Sequence, residues 1–86
     1  MAENESKNKK AVALKYDLEK DNAPIITASG QGSIAKKIIE TARENNISIE
    51  SNQDIIDILI KVEIGEEIPA ELYQAVAEIL SFIYNL

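Results

Sequence analysis

The residues that could do chemistry fall into two short runs. Glu63, Glu66 and Glu67 bring three carboxylates close together in sequence, a grouping that suits a divalent cation or an acid–base pair in principle. Proximity is not enough for either. Calcium loops need a defined acidic spacing, and catalytic carboxylates need a cleft that displaces their pKa values. The run around these glutamates has neither feature, so it reads as a connection between helices with an acidic face that a partner can contact. Gly30-Gln31-Gly32-Ser33 stands before a helical stretch, where backbone N–H groups can hold phosphate. It lacks the glycine spacing, the lysine and the hydroxyl of a P-loop, and reads as a tight strand-to-helix turn.

The rest of the inventory argues against catalysis. The chain has no cysteine and no histidine, which removes disulfides, thiolate nucleophiles, imidazole bases and the usual zinc ligands together. Tyr16, Tyr73, Phe82 and Tyr84 are the only aromatic residues and fall at positions suited to a core. Lys36-Lys37 reads as solvated surface. No catalytic residue, metal site or cofactor is expected, and the chain is expected not to be an enzyme.

The elements that carry these residues belong to one small domain of 86 residues, 45% of them apolar, enough for a marginal but sufficient core. Residues 1–10 hold three lysines against two glutamates, whereas the rest holds six basic and thirteen acidic side chains, within a total net charge of −6. An acidic domain repels phosphate backbones, so nucleic acid is a poor partner. No stretch approaches the roughly 20 apolar residues of a membrane span, and the polar start lacks a hydrophobic export segment. The expected location is the cytoplasm.

Residues 1–10 read as a flexible tail and 11–86 as the domain. Ala11-Val12-Ala13-Leu14-Lys15-Tyr16 is an apolar run suited to a strand. A polar loop follows, and Pro24 opens a second strand, Ile25 to Ala28. Ile34, Ala35, Ile38, Ile39 and Ala42 then mark one helix face, closed by Asn45-Asn46, since Asn tolerates the left-handed backbone found at helix ends. Ile47-Ser48-Ile49-Glu50 alternates with period two and predicts a third strand, parallel to the second through a right-handed crossover. Ser51 or Asn52 caps a second helix, well buried because Ile55, Ile56, Ile58, Leu59, Ile60 and Val62 nearly encircle it. Pro69 starts a third helix with an apolar stripe of Leu72, Tyr73, Val76, Ala77, Leu80, Ile83 and Tyr84. The fold class is therefore α+β, with a small mixed sheet of about three strands in the order β-β-α-β-α-α, flanked by three helices.

Three segments resemble one family. Ala11–Tyr16, the stretch Ala23-Pro24-Ile25-Ile26-Thr27-Ala28-Ser29-Gly30-Gln31, and above all Val62 to Leu80 with its Glu63-Ile64-Gly65-Glu66-Glu67-Ile68-Pro69 centre are similar to the C-terminal cytoplasmic domain of the FlhB/YscU family of type III secretion switch proteins. The resemblance covers residues 11–86. It implies a domain that, in membrane-anchored family members, sits at the export gate of flagella or injectisomes and switches the class of exported substrate. Those domains cleave themselves at an Asn-Pro-Thr-His motif just before the strand that resembles Ala11–Tyr16. In register, Ser6, Lys7, Asn8 and Lys9 stand at those four places, and both prolines follow other residues, Ala23 and Ile68. Self-cleavage by asparagine cyclisation before proline has no residues to use here.

The chain starts about where the family's cleaved C-terminal fragment starts, so the resemblance leaves β-strand Ala11–Tyr16 with a vacant neighbour. The expected function is that of a non-enzymatic cytoplasmic accessory of flagellar type III export, peripheral at the export gate. It binds the gate (a truncated or cleaved FlhB-type protein) or its substrates and stands in for the cleaved C-terminal part during switching. The partner-binding residues are Ala11, Val12, Ala13, Leu14, Lys15 and Tyr16, with Glu63, Glu66 and Glu67. The alternative is a structural protein that self-associates as a homodimer through the free strand edge, with no role in secretion.

Overall fold

The computed structural model describes residues 9–17 and 19–84, without the Tyr84 side chain. Most of the expected N-terminal tail lies outside these residues. Lys10, assigned above to the tail, already belongs to strand β1, Lys10–Lys15, which pairs antiparallel with β2, Ile25–Gln31. Asp17 organises the loop between them. Its carboxylate accepts from the Glu19 N–H at 2.9 Å, and its carbonyl accepts from the Asp21 N–H at 2.8 Å, the local bonding that makes aspartate a turn residue. The register runs from Lys10↔Gln31 to Ala13↔Ala28, then shifts to Leu14↔Ile26, which leaves Thr27 as an extra residue in β2. Thr27 Oγ1 donates to the Ala13 carbonyl at 3.3 Å across this bulge.

Helix α1, Ser33–Glu44, follows the turn at Gly32. It closes as its sequence predicts. Asn46 has φ 57°, the Ile47 N–H reaches the Ala42 carbonyl at 2.8 Å, and the Asn46 N–H reaches the Arg43 carbonyl at 3.2 Å, the paired bonds of a Schellman closure. Helix α2, Gln53–Leu59, is capped by Asn52, whose side chain accepts from the Ile55 N–H at 3.2 Å, with Asp54 in the first turn. Its burial is one-sided rather than all-round: Ile55 and Leu59 are buried, but Ile58 is 39% exposed. A 3-10 turn, Ala70–Leu72, leads from Pro69 into helix α3, Tyr73–Tyr84.

The expected third strand is absent among the described residues. The sheet has two strands in the order β1-β2, and Ile47–Glu50 joins no ladder. The parallel crossover expected from Ile47–Glu50 is therefore not made. A period-two pattern marks residues able to pair, but pairing requires a strand edge within hydrogen-bond reach. Here Ile47 and Ile49 remain 59% and 45% exposed. The α+β architecture of a small sheet with three helices is otherwise as expected.

The core lies on one side of the hairpin. Ala23, Ile26, Ile55, Leu59, Ile68, Leu72 and Val76 form it, with Val12 and Leu14 packed against it. Alternation puts Ala11 and Ala13 on the other face, where α1 approaches both strands and buries Ala35 completely. That approach needs Gly30: a Cβ there would collide with the side chain of Ile34 in the first turn of α1.

The run that follows α2 closes the sheet. The Gly65 N–H donates to the Ile26 carbonyl at 2.7 Å, the Ile26 N–H to the Glu66 carbonyl at 2.9 Å, and the Ile68 N–H to the Pro24 carbonyl at 3.0 Å. Ile25 and Glu67 form an isolated bridge. Gly65 takes φ +96° to make this path, a backbone region that a side chain disfavours. At the other end of the hairpin, Lys10 Nζ contacts Asp57 Oδ1 of α2 at 2.9 Å, and Gln53 Nε2 donates to the same oxygen at 2.9 Å.

Three outcomes test this description. Ile26→Ala removes a side chain with no exposure and lowers unfolding free energy by about 2–5 kcal/mol; a urea titration showing no loss would contradict the packing. Gly30→Ala forces α1 off the sheet and costs about 1–3 kcal/mol, measured in the same way. The Lys10 contact, followed by the Gln53 hydrogen bond, holds the Asp57 carboxyl below its ordinary value. A lowered folded pKa contributes stability above about pH 4, where the unfolded carboxyl is ionised, and loses it as pH falls through the folded value. In Lys10→Met, the Asp57 midpoint followed by carboxyl NMR rises towards the ordinary range. An unmoved midpoint would remove the ion pair from the account.

Candidate functional site

The expected partner strand is β1, and the ladder shows which of its backbone groups point away from β2. The Gly32 N–H donates to the Lys9 carbonyl at 2.8 Å, which sets the phase of the hairpin. In an antiparallel pair, alternate residues exchange both bonds with the partner strand, and the ones between point theirs away. The backbone groups of Lys10, Val12 and Leu14 therefore face away from β2. No backbone hydrogen bond among the described residues reaches them from another element. Of the expected contact residues, Ala11 is buried, Val12, Ala13 and Leu14 are half-buried, Lys15 is exposed, and Tyr16 lies half-buried beyond the strand end. What β1 offers a partner is its backbone edge rather than a row of exposed side chains.

Glu63, Glu66 and Glu67 are all exposed. Their side chains make no ion pair among the described residues, and no group of three or more His, Cys, Asp or Glu there could hold a metal ion. The backbone of this run is busy instead: Glu66 and Glu67 meet Ile26 and Ile25 on the outer edge of β2. The structure thus keeps the carboxylates apart from β1, on the opposite edge of the sheet. Gly30–Ser33 is the expected tight turn, with no side-chain cap at Gly32. The aromatic residues depart from expectation, since Tyr73 is 44% and Phe82 84% exposed.

A third feature was not foreseen. A groove of about 750 Å³ is lined by Leu14 of β1, Ile38 of α1, Ile47 of the connecting segment, Ile55 of α2, and Ile79 and Leu80 of α3. Its walls are apolar, with Lys37 and Glu50 as the charged residues on its lining. The sequence carried one clue to it. Ile47-Ser48-Ile49-Glu50 has the alternation of a sheet strand, pairs with no strand among the described residues, and lines the groove through Ile47, Ser48 and Glu50. No helix among the described residues is long and apolar enough to cross a membrane.

Known proteins match this chain along most of its length. The model of the FlhB HrpN YscU SpaS family covers residues 8–83. The protein YlqH of Bacillus subtilis (strain 168) is 41% identical over 78 residues, 91% of this chain and 84% of that one. The flagellar biosynthetic protein FlhB of Aquifex aeolicus (strain VF5) is 43% identical over 74 residues, 85% of this chain but 21% of its own length. The chain thus spans about a fifth of the flagellar relatives that it matches. The crystal structure of the cytoplasmic domain of FlhB from Shewanella putrefaciens superposes with a TM-score of 0.81 at 34% identity, covering 94% of this chain and 70% of that one. With the hairpin, the β2 clip and the three helices in place, the chain belongs to the FlhB HrpN YscU SpaS family and has the fold of its C-terminal cytoplasmic domain.

Proposed function

We propose that this chain is a non-enzymatic accessory of type III protein export. It binds the export apparatus or its substrates and stands in for the C-terminal part of a FlhB-type protein in substrate switching. The observation that carries the reading is the combination of family membership over residues 8–83 with a β1 edge that no described element pairs. An unpaired edge is a template for strand addition, in which main-chain hydrogen bonds supply affinity. The family resemblance supplies the partner: an export-gate protein that has lost, or released, the domain this chain duplicates. Chemistry is not part of the role, because the exposed glutamates lie at the opposite edge of the sheet and the sequence holds no cysteine or histidine.

Strand addition also accounts for the location of the acidic run. Glu66 and Glu67 close the β2 edge with their backbones while their carboxylates stay in water, leaving β1 as the edge for a partner. Glu63, Glu66 and Glu67 form a separate acidic contact face in this reading.

The test is a pull-down of this protein against the host's flagellar FlhB, both intact and truncated just before its cleavage site. Capture of the truncated form over the intact one is the expected result, together with loss of capture when Val12→Pro removes an outward-facing N–H. Failure to capture either form would send the function to another partner. A sedimentation run showing a stable homodimer that hides β1 would favour self-association instead.

A further inference from the structure

The chain after Lys61 carries no cation. From Val62 to Leu86 it holds Glu63, Glu66, Glu67, Glu71 and Glu78, and neither lysine nor arginine. Helix α3 lies within this stretch. Leu72 and Val76 turn one side of it into the core, and Ile79, Leu80 and Ile83 turn towards the groove. The side turned away from these carries Glu71, Gln74, Glu78 and Phe82, spaced three, four and four apart, which keeps them on one helical stripe. All four are exposed and none lines the groove. Phe82, at 84%, is the most exposed large apolar residue described. Neither Glu71 nor Glu78 makes an ion pair among the described residues. Helix α3 also has no basic residue in its last turn to meet the negative end of its dipole.

A helix face is not met by strand addition, because its N–H and C=O groups are bonded within the helix. It is met by side chains, as when an amphipathic helix lays down anchors three and four residues apart. Charge then selects among partners. Glu78 stands about one turn before Phe82 and Glu71 about three turns before it. An anionic lipid surface or a nucleic acid meets repulsion from such a stripe. A second copy would bring the same glutamates together across a two-fold axis. We infer that the Glu71–Gln74–Glu78–Phe82 stripe docks a basic amphipathic helix of a partner protein. An apolar side chain of that helix packs on Phe82, and its Lys or Arg side chains meet Glu71 and Glu78. Phe82 is the anchor, since a few buried aromatic side chains carry most of the energy of an interface. The glutamates set orientation and association rate. This surface is separate from the β1 edge and does not rest on the export reading.

The test uses the full chain and three synthetic helices, each of three repeats. The first repeats Leu-Ala-Lys-Lys-Leu-Ala-Lys; the second has glutamate for lysine, and the third alanine for leucine. The first should bind at least about tenfold more tightly than either of the others. It should shift the NMR signals of Gln74, Glu78 and Phe82 and leave those of Val12 and Leu14 in place. Phe82→Ala, at an exposed position, and the double variant Glu71→Gln/Glu78→Gln should each lose at least about tenfold in affinity. Both should keep the circular dichroism spectrum of the parent. Glu40→Gln/Glu44→Gln on α1 removes the same charge at exposed positions elsewhere and should bind as the parent does. Equal loss in that α1 variant would reduce the attraction to overall charge, and shifts confined to Leu14, Ile38 and Ile79 would move the ligand to the groove. Either result overturns the stripe, as does failure of the lysine helix to bind at all. A homodimer in sedimentation that Phe82→Ala dissolves would give the face to a second copy and likewise overturn the inference. Capture of FlhB in the pull-down bears on none of these results, so the two readings fail independently.

Discussion

Ile26 stands where the hairpin, the loop after α2 and the start of the last helix meet, and its two roles cannot be separated. Its side chain is fully buried among Leu59, Ile68 and Val76. Its backbone N–H and carbonyl are held by Glu66 and Gly65. A buried residue at a sheet edge has backbone groups that water cannot reach, and leaving them unpaired costs about 1–3 kcal/mol each. The Gly65–Ile68 clip meets that requirement, and in doing so brings Ile68 and Pro69 to the point from which Leu72 and Val76 enter the core. The placement of α3 thus follows from hydrogen bonds made by a loop.

This constraint gives the sheet its asymmetry. One edge is closed by a neighbouring loop at Ile25 and Ile26, while at the other no backbone bond from another described element reaches Lys10, Val12 or Leu14. Natural sheets protect edges with charge, bulges or coverage. The bulge at Thr27 lies on the strand that is already clipped. On β1 the charges sit at its ends, with Lys10 turned towards Asp57. The apolar middle of β1 keeps the features of a pairing edge, and the groove beside it is continuous with the core.

The acidic run shows how a distinctive sequence can have a structural cause before a functional one. Glu63, Glu66 and Glu67 invite a search for metal or acid–base chemistry. Their carboxylates are dispersed in solvent, and the residues between them do the work: Gly65 supplies a positive φ and Ile68 a buried side chain. The pattern that most resembles the FlhB/YscU family is therefore also the segment that completes the sheet edge and redirects the chain into α3.

Local rules were enough for much of this molecule. The hairpin strands, the Asn46 closure of α1, the Asn52 cap and the Pro69 entry to the last helix depend on residue types within a few positions of each other, so they were legible in the order of residues alone. The absence of cysteine and histidine and the family likeness were equally plain from the sequence. The missing third strand, the one-sided burial of α2, the exposure of Phe82 and the groove were decided only by tertiary structure. A period-two pattern records that a segment can pair, but not whether an edge lies within reach, because that edge comes from residues about thirty positions earlier in the chain. A hydrophobic helix likewise buries only the faces that other elements happen to cover, and periodicity carries no information about how much of the circumference they reach.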